Sequence, residues 1–534
     1  MATPQQSYSR SDDGMRRYSR INLPFSSRRV RLGILATCTL AILLVTSSGS
    51  VIFAQQPRIV PANSGGFANN FLVVPSLNFP TIQSAIDAAK SGDTVKVLPG
   101  TYTEQLFINK SMTLLGSGAA STVINEPVSL ITDSLGYYWG VHIANAAKVA
   151  ISGFAFTTPP TLFMPCATLN ACATIGVDGG ASLELSSSIV HFTYLFTGLW
   201  VGVGSTPSSV PFSTGSASVT RVDFEVPSTA PTGGFPSGYG YAGVWLSGDG
   251  TLQISSSRIA VIATVGGDTF GLFLDTGTTA SILYNTIVGA NPIVTSPDMR
   301  ADISFNAIMP TGLTPFGPNY GATEAGISIG QGSRVQVTHN TVTGSPNVFN
   351  GIYVVASSSA SDPTVALIAQ NTISNFICTT TVGAPAGWCG IDPLKSENQL
   401  AGIYVVPQDF TCGCGPYPQT TPNDITITQN SIYHSDVGIS LQAVQNCCVV
   451  TNNAIYASTD YGLQAYEGNY TFSNNIIEGG QYGINAVGGF FSLLNLGSAS
   501  AIVISDNNTI QGVKITPAYL LAVPPYTAEV IFEK

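Results

Sequence analysis

One short phrase recurs three times between Asn423 and Gly488: Ile425-Thr-Ile-Thr-Gln-Asn430-Ser-Ile, Val449-Val-Thr-Asn-Asn453-Ala-Ile and Phe472-Ser-Asn-Asn475-Ile-Ile. Between the copies stand Gly438-Ile-Ser-Leu, Gly462-Leu-Gln-Ala and Gly483-Ile-Asn-Ala. Alternating apolar and polar residues describe a strand with one buried face. A period of just over twenty residues is too short for an independent domain and describes one turn of a solenoid, whose apolar face must be covered by the next turn. The fold expected is all-β: a single-stranded right-handed parallel β-helix of about twelve coils, preceded by an amphipathic capping helix.

Laying the whole chain on this register gives two columns. The column closing each coil reads Phe154, Ser187, Val222, Ser257, Asn285, Asn306, Asn340, Asn371, Asn430, Asn453, Asn475 and Asn507 or Asn508. Stacked asparagines suit a hydrogen-bonded ladder at a tight turn and tolerate left-handed backbone. Twelve coils at roughly 4.8 Å each would make a rod about 58 Å long. The opening column reads Gly140, Gly176, Gly198, Gly243, Gly271, Gly326, Gly351, Gly402, Gly438, Gly462 and Gly483. Two residues beyond each glycine, the side chain is expected to point outward. Those positions are His142, Asp178, Trp200, Trp245 and Phe273, then, after one unassigned coil, Ser328, Tyr353, Tyr404, Ser440, Gln464 and Asn485.

Length alone would suggest several domains, but a solenoid grows along one axis and is not limited by a single core. Seven of the nineteen Lys and Arg precede Leu32, leaving twelve basic against twenty-seven acidic residues beyond it. That balance argues against nucleic acid as a partner, since phosphates need a basic surface. Residues 1–31 read as a basic cytoplasmic leader and 32–54 as a signal peptide or signal anchor, so a membrane contact is expected only through this segment if it is uncleaved. The bulk of the chain is then extracytoplasmic: secreted, periplasmic or at the cell surface. A linker follows at 55–70, a cap and first coils at 71–127, the β-helix at 128–514 with insertions at 375–399 and 407–423, and a C-terminal cap at 515–534.

In the cap region, Ile82, Ala85, Ile86 and Ala89 fall on one helical face, Gly92 is placed to end the helix, and Thr94 to Leu98 follows as a strand. This stretch, Phe79-Pro-Thr-Ile through Leu98-Pro-Gly-Thr-Tyr102, resembles the opening of pectin methylesterases and other right-handed parallel β-helix proteins of the pectin lyase-like superfamily. The later repeats resemble those of periplasmic NosD-type β-helix proteins. The first resemblance implies a substrate groove along an outer sheet face. The motifs of particular activities are largely absent. Only Val222-Asp223-Phe224 resembles a methylesterase motif, the sole Asp-Asp is Asp12-Asp13 in the leader, and Asp392-Pro393 is followed by leucine. Arg221, Arg258, Arg300 and Arg334 have no acid cluster nearby in sequence.

The outward aromatics Trp200, Trp245, Phe273, Tyr353 and Tyr404 suit a polysaccharide partner, because sugar rings expose apolar C–H faces that stack on aromatic rings. The alternative is a minor core under surface loops. Candidate chemistry is of two kinds. His142 and Asp178, on adjacent coils, would pair as base and orienter. Asp275 and Glu324 flank the stripe roughly 10 Å apart by strand spacing, near the upper separation of an inverting glycosidase pair. Binding without cleavage and a purely structural or adhesive rod are the other readings. No cofactor is expected.

Cys38 lies in the leader. The other eight cysteines, Cys166, Cys172, Cys378, Cys389, Cys412, Cys414, Cys447 and Cys448, form an even set in an exported chain and read as disulfides closing loops. A bond from an outward Cys447 to the Cys412–Cys414 loop is one pairing. The NosD-type resemblance implies the other possibility, a soft metal such as copper on Cys412, Cys414, Cys447 and Cys448.

Overall fold

Parallel pairing dominates the computed structural model, which describes residues 70–533 except 134–135, 159–171, 193–196, 203–213, 227–240, 263–268, 312–324, 346–349, 378–399, 408–421, 445–446 and 490–499. The leader, the apolar run, most of both insertions, Glu324, Cys38, Cys166, Cys378, Cys389, Cys412 and Cys414 lie outside the described residues. Each coil contributes a strand to each of three parallel ladders, and the chain is a parallel β-helix. One ladder is a separate 14-stranded sheet running from Leu106–Ile108 to Thr516–Ala522. The other two merge into a 28-stranded sheet. They merge because Ala181–His191 and Gly215–Glu225, eleven residues each, run through the corner and pair in both. The fourteen strands exceed the twelve coils expected; the two additional ones, Leu106–Ile108 and Thr516–Ala522, are terminal and lie in the stretches read as the N-terminal cap with first coils and the C-terminal cap.

The core lies inside the coils. Along the 14-stranded sheet one inward column reads Val141, Ile175, Leu199, Val244, Leu272, Ile293, Ile327, Ile352, Ile403, Ile439, Leu463 and Ile484, all buried. Successive coils thus stack like residues on like, and branched aliphatics fill a pleated face well. The opening glycines have a steric cause. A Cβ at Gly243, Gly271, Gly326, Gly351, Gly402, Gly438 or Gly483 would sit 2.5 to 2.7 Å from a γ-carbon of an Ile or Val on the neighbouring face. At Gly402 that atom is Ile432 Cγ2, 2.6 Å away, with the Gly438 carbonyl oxygen at 2.8 Å. Gly402→Ala is therefore expected to destabilise the fold by about 1–3 kcal/mol, the cost of overpacking, as read by denaturant unfolding. An unchanged midpoint would contradict this packing.

The closing column forms the expected ladder. Asn285, Asn306, Asn340, Asn371, Asn430, Asn453 and Asn475 each donate a backbone N–H and an Nδ2–H to the Oδ1 of the next asparagine at 2.8–3.0 Å. Asn508, not Asn507, ends it. Before the asparagines, Ser257 and Ser188 hydroxyls take the same place, so Ser188 replaces the expected Ser187. The left-handed residue is the one preceding each asparagine: Tyr284, Phe305, His339, Gln370, Gln429, Asn452, Asn474 and Asn507 have φ of 49 to 59°. The asparagine side chain fixes the corner, and its neighbour adopts the unusual backbone.

At the N-terminal end the helix spans Ile82–Ala88, with Ile82, Ala85 and Ile86 buried against the first coils. Thr81 and Ser84 form a capping box. The Glu104 carboxylate accepts from Ile82 and Gln83 N–H, both 2.9 Å, fixing the helix start to the next strand turn. The helix ends at an extended Ala89. Gly92 instead makes a positive-φ turn before strand Thr94–Val97.

Candidate functional site

The outer face of the 14-stranded sheet carries one continuous column: Phe107, His142, Gly176, Trp200, Trp245, Phe273, Val294, Ser328, Tyr353, Tyr404, Ser440, Gln464, Asn485 and Tyr519. The unassigned coil contributes Val294. Asp178 does not belong to this column; Gly176 holds its place. A Cβ there would fall on the ring of Trp139, which lies across the position. Asp178 follows two residues later.

The expected stripe is shorter than the sequence implied. Trp200, Trp245 and Phe273 are half-buried and form an unbroken array, Trp200 and Trp245 stacked at 5.0 Å and 17°, Trp245 and Phe273 tilted at 4.8 Å and 54°. Trp139 meets Trp200 edge-on at 6.2 Å. Tyr353 and Tyr404 retain only 3% and 7% exposure and join Ala325, Ala401, Val437 and Tyr461 in a secondary apolar cluster. For these two the minor-core alternative describes what is observed. Ser440, Gln464 and Asn485, which by register should face solvent, are fully buried, and among the described residues the side-chain polar atoms of Asn485 and Gln442 find no partner.

The indoles of the stripe differ in their polar contacts. Trp200 Nε1 donates to Ser247 Oγ at 2.8 Å, and that hydroxyl is hydrogen-bonded to the Gly202 carbonyl. Among the described residues Trp245 Nε1 is buried without an acceptor.

Beside the N-terminal end of the stripe, the structure brings His142 and Asp178 together. His142 Nε2 is 3.1 Å from Asp178 Oδ1 but lacks the alignment of a hydrogen bond. The Trp139 ring stacks on the imidazole at 5.3 Å and 22°, and its Nε1 donates to Asp133 Oδ2 at 2.8 Å. The Tyr137 N–H donates to the other Asp133 oxygen at 2.9 Å. Below this group lies Glu126, wholly buried, its carboxyl packed on Gly140. Burial pushes its pKa up to about 8, with the nearby Thr174 and Thr158 hydroxyls lowering it in part, although neither makes an aligned hydrogen bond.

Other candidates are occupied otherwise. Asp275 Oδ1 accepts the Thr276 N–H at 2.8 Å and its carbonyl accepts the Thr278 hydroxyl, so it caps a turn. Asp223, in the one methylesterase-like triplet, pairs with Arg258 at 2.8 Å. Cys447 is buried in the core and bonded to Cys448, so the expected link from an outward Cys447 to the Cys412–Cys414 loop is replaced by a bond between neighbours. Cys172 is also disulfide-bonded.

Sequence reasoning missed two features. Tyr284, Phe305 and His339 stack on the left-handed corner at 4.9 and 4.6 Å, with Tyr284 60% and Phe305 45% exposed. They stand one residue before the ladder asparagines, an offset that would have flagged them. Asp298 and Asp362 face each other across Gly332, and their shared hydrogen bond raises Asp298 to about 6. Among the described residues no helix is long and apolar enough to cross a membrane.

No family model matches the sequence, and no curated protein matches it. Among solved structures the chain is similar to the catalytic domain of a GH87 α-1,3-glucanase in complex with tetrasaccharides (TM-score 0.39, 12% identity, 89% of this chain and 70% of that one). It is also similar to the catalytic unit of a thermostable GH87 α-1,3-glucanase from Streptomyces thermodiastaticus (TM-score 0.36, 16% identity, 85% and 65%). A third is the periplasmic alginate epimerase AlgG (TM-score 0.32, 8% identity, 87% and 84%). At these scores the likenesses carry no argument, and the functional reading rests on this chain's own residues.

Proposed function

We propose that this is an exported β-helix protein that binds a polysaccharide across Trp200, Trp245 and Phe273. The basic leader, the apolar run after it and the cysteine pairing support export. The observation that carries the binding reading is the half-buried aromatic array that rises one ring per coil. Ring edges and the tilted Phe273 offer apolar surface to sugar C–H groups. Beyond the leader acids outnumber bases more than two to one, which disfavours a polyuronate and favours a neutral glycan. The proposal is confined to binding: Asp275 is engaged in its turn and the Glu126 carboxyl is buried away from ligands.

The test is retention on immobilised neutral glucans, with alginate and pectin as acidic comparators. Trp200→Ala/Trp245→Ala is expected to lose at least tenfold in affinity, and Phe305→Ala on the exposed corner to change it little. Loss in Phe305→Ala with full retention in the double variant would move the site to the corner stack. Retention in both variants would overturn the aromatic reading altogether.

A further inference from the structure

We propose that Asp133, His142 and Asp178 bind a divalent first-row transition ion, with zinc(II) as its representative. One oxygen or nitrogen from each residue can be chosen so that all lie within 4.8 Å of one another. His142 Nε2 and Asp178 Oδ1 are 3.1 Å apart and yet not aligned as donor and acceptor. Two ligand atoms bound tetrahedrally to zinc at 2.0–2.2 Å would stand about 3.4 Å apart, so the close but undirected approach of this pair is that of two groups aimed at a common centre. Asp133 needs to draw in by about an ångström to complete the set.

The surroundings hold the three side chains as an outer shell would. A single indole, Trp139, stacks on the His142 ring and donates to Asp133, and the Tyr137 N–H donates to the other Asp133 oxygen. Phe107 packs on His142 at 5.3 Å from the preceding coil. Such partners fix ring and carboxylate orientation before an ion arrives. One imidazole and two carboxylates suit zinc and its neighbours; calcium wants six to eight oxygens, and a thiol-seeking ion finds no sulfur in the trio. Three protein ligands leave a fourth position for water or a ligand hydroxyl. The site stands on its own residues and does not depend on glycan binding at the stripe.

The test is titration of the purified, chelator-stripped full chain with zinc chloride against a chromophoric indicator, with calcium chloride in parallel. One zinc per chain is expected. Asp178→Asn, which keeps the side-chain shape, and His142→Ala should each weaken binding at least tenfold. Trp139→Phe keeps all three ligands and should weaken it by a smaller factor. Cobalt(II) loaded in place of zinc should give a visible spectrum that changes in Asp178→Asn, a readout that serves if His142→Ala fails to fold. The assignment is overturned if no stoichiometric zinc binds, if Asp178→Asn leaves zinc affinity and the cobalt spectrum unchanged, or if calcium binds in preference to zinc.

Discussion

Glu126→Gln is expected to abolish most of a fall in stability that the wild-type N-terminal coils show between about pH 5 and pH 8. The folded carboxyl is raised to about 8 by burial, whereas its ordinary value is 4.5. Below 4.5 both folded and unfolded chains carry the proton, and the fold has its full stability. As pH rises towards 8 the unfolded chain releases the proton first, so unfolding gains; above 8 both are ionised and the loss levels off. The separation corresponds to a loss on the order of 5 kcal/mol. Asp298 and Asp460, each raised to about 6, add their own slopes to the wild-type curve. The difference between wild type and Glu126→Gln isolates Glu126. Amide hydrogen exchange of the N-terminal coils at pH 5 and pH 8, corrected for intrinsic rates, measures it, and parallel pH profiles would contradict the burial of this acid.

Asn340→Ala should destabilise the solenoid by about 3 kcal/mol, well beyond a surface substitution. Asn340 Oδ1 accepts from both Asn306 N–H and Nδ2–H at 3.0 Å, and its own Nδ2 donates to the Ile303 carbonyl at 2.7 Å and to Asn371 Oδ1 at 3.0 Å. Alanine strands two buried backbone groups of the preceding coil, the Asn306 N–H and the Ile303 carbonyl. Denaturant unfolding gives the total cost, and faster exchange of the Asn306 amide gives its location. An Asn306 amide that stays protected in the variant would show that the ladder does not hold the corner.

The fold was legible because its two repeated columns have local causes. Glycine is required where a Cβ would strike an Ile or Val of the next face, and asparagine where a corner needs a side chain that both donates and accepts. Where those causes weaken, so did the reading. At Gly176 the glycine answers to the Trp139 ring instead of an Ile or Val of the next face, which shifted Asp178 into the wrong column while still leaving it beside His142. Tyr353 and Tyr404 face outward in register as read, but register says nothing about what covers a face, and both are buried. Asp133 joins the site from a turn outside every repeat, so no periodicity points to it. Glu126 follows a strand as an ordinary acid in sequence; only the packing of its carboxyl on Gly140 reveals a buried one.

Binding at the aromatic array is tested most directly by chain-length dependence. Trp200, Trp245 and Phe273 occupy three successive coils, about 10 Å from first to last at the strand spacing. Calorimetric titration with neutral gluco-oligosaccharides of increasing length should show affinity climbing until about three to five sugars are engaged and then levelling. In Trp245→Ala the climb should be lost. An affinity independent of length, or a length profile identical in Trp245→Ala, would contradict the account.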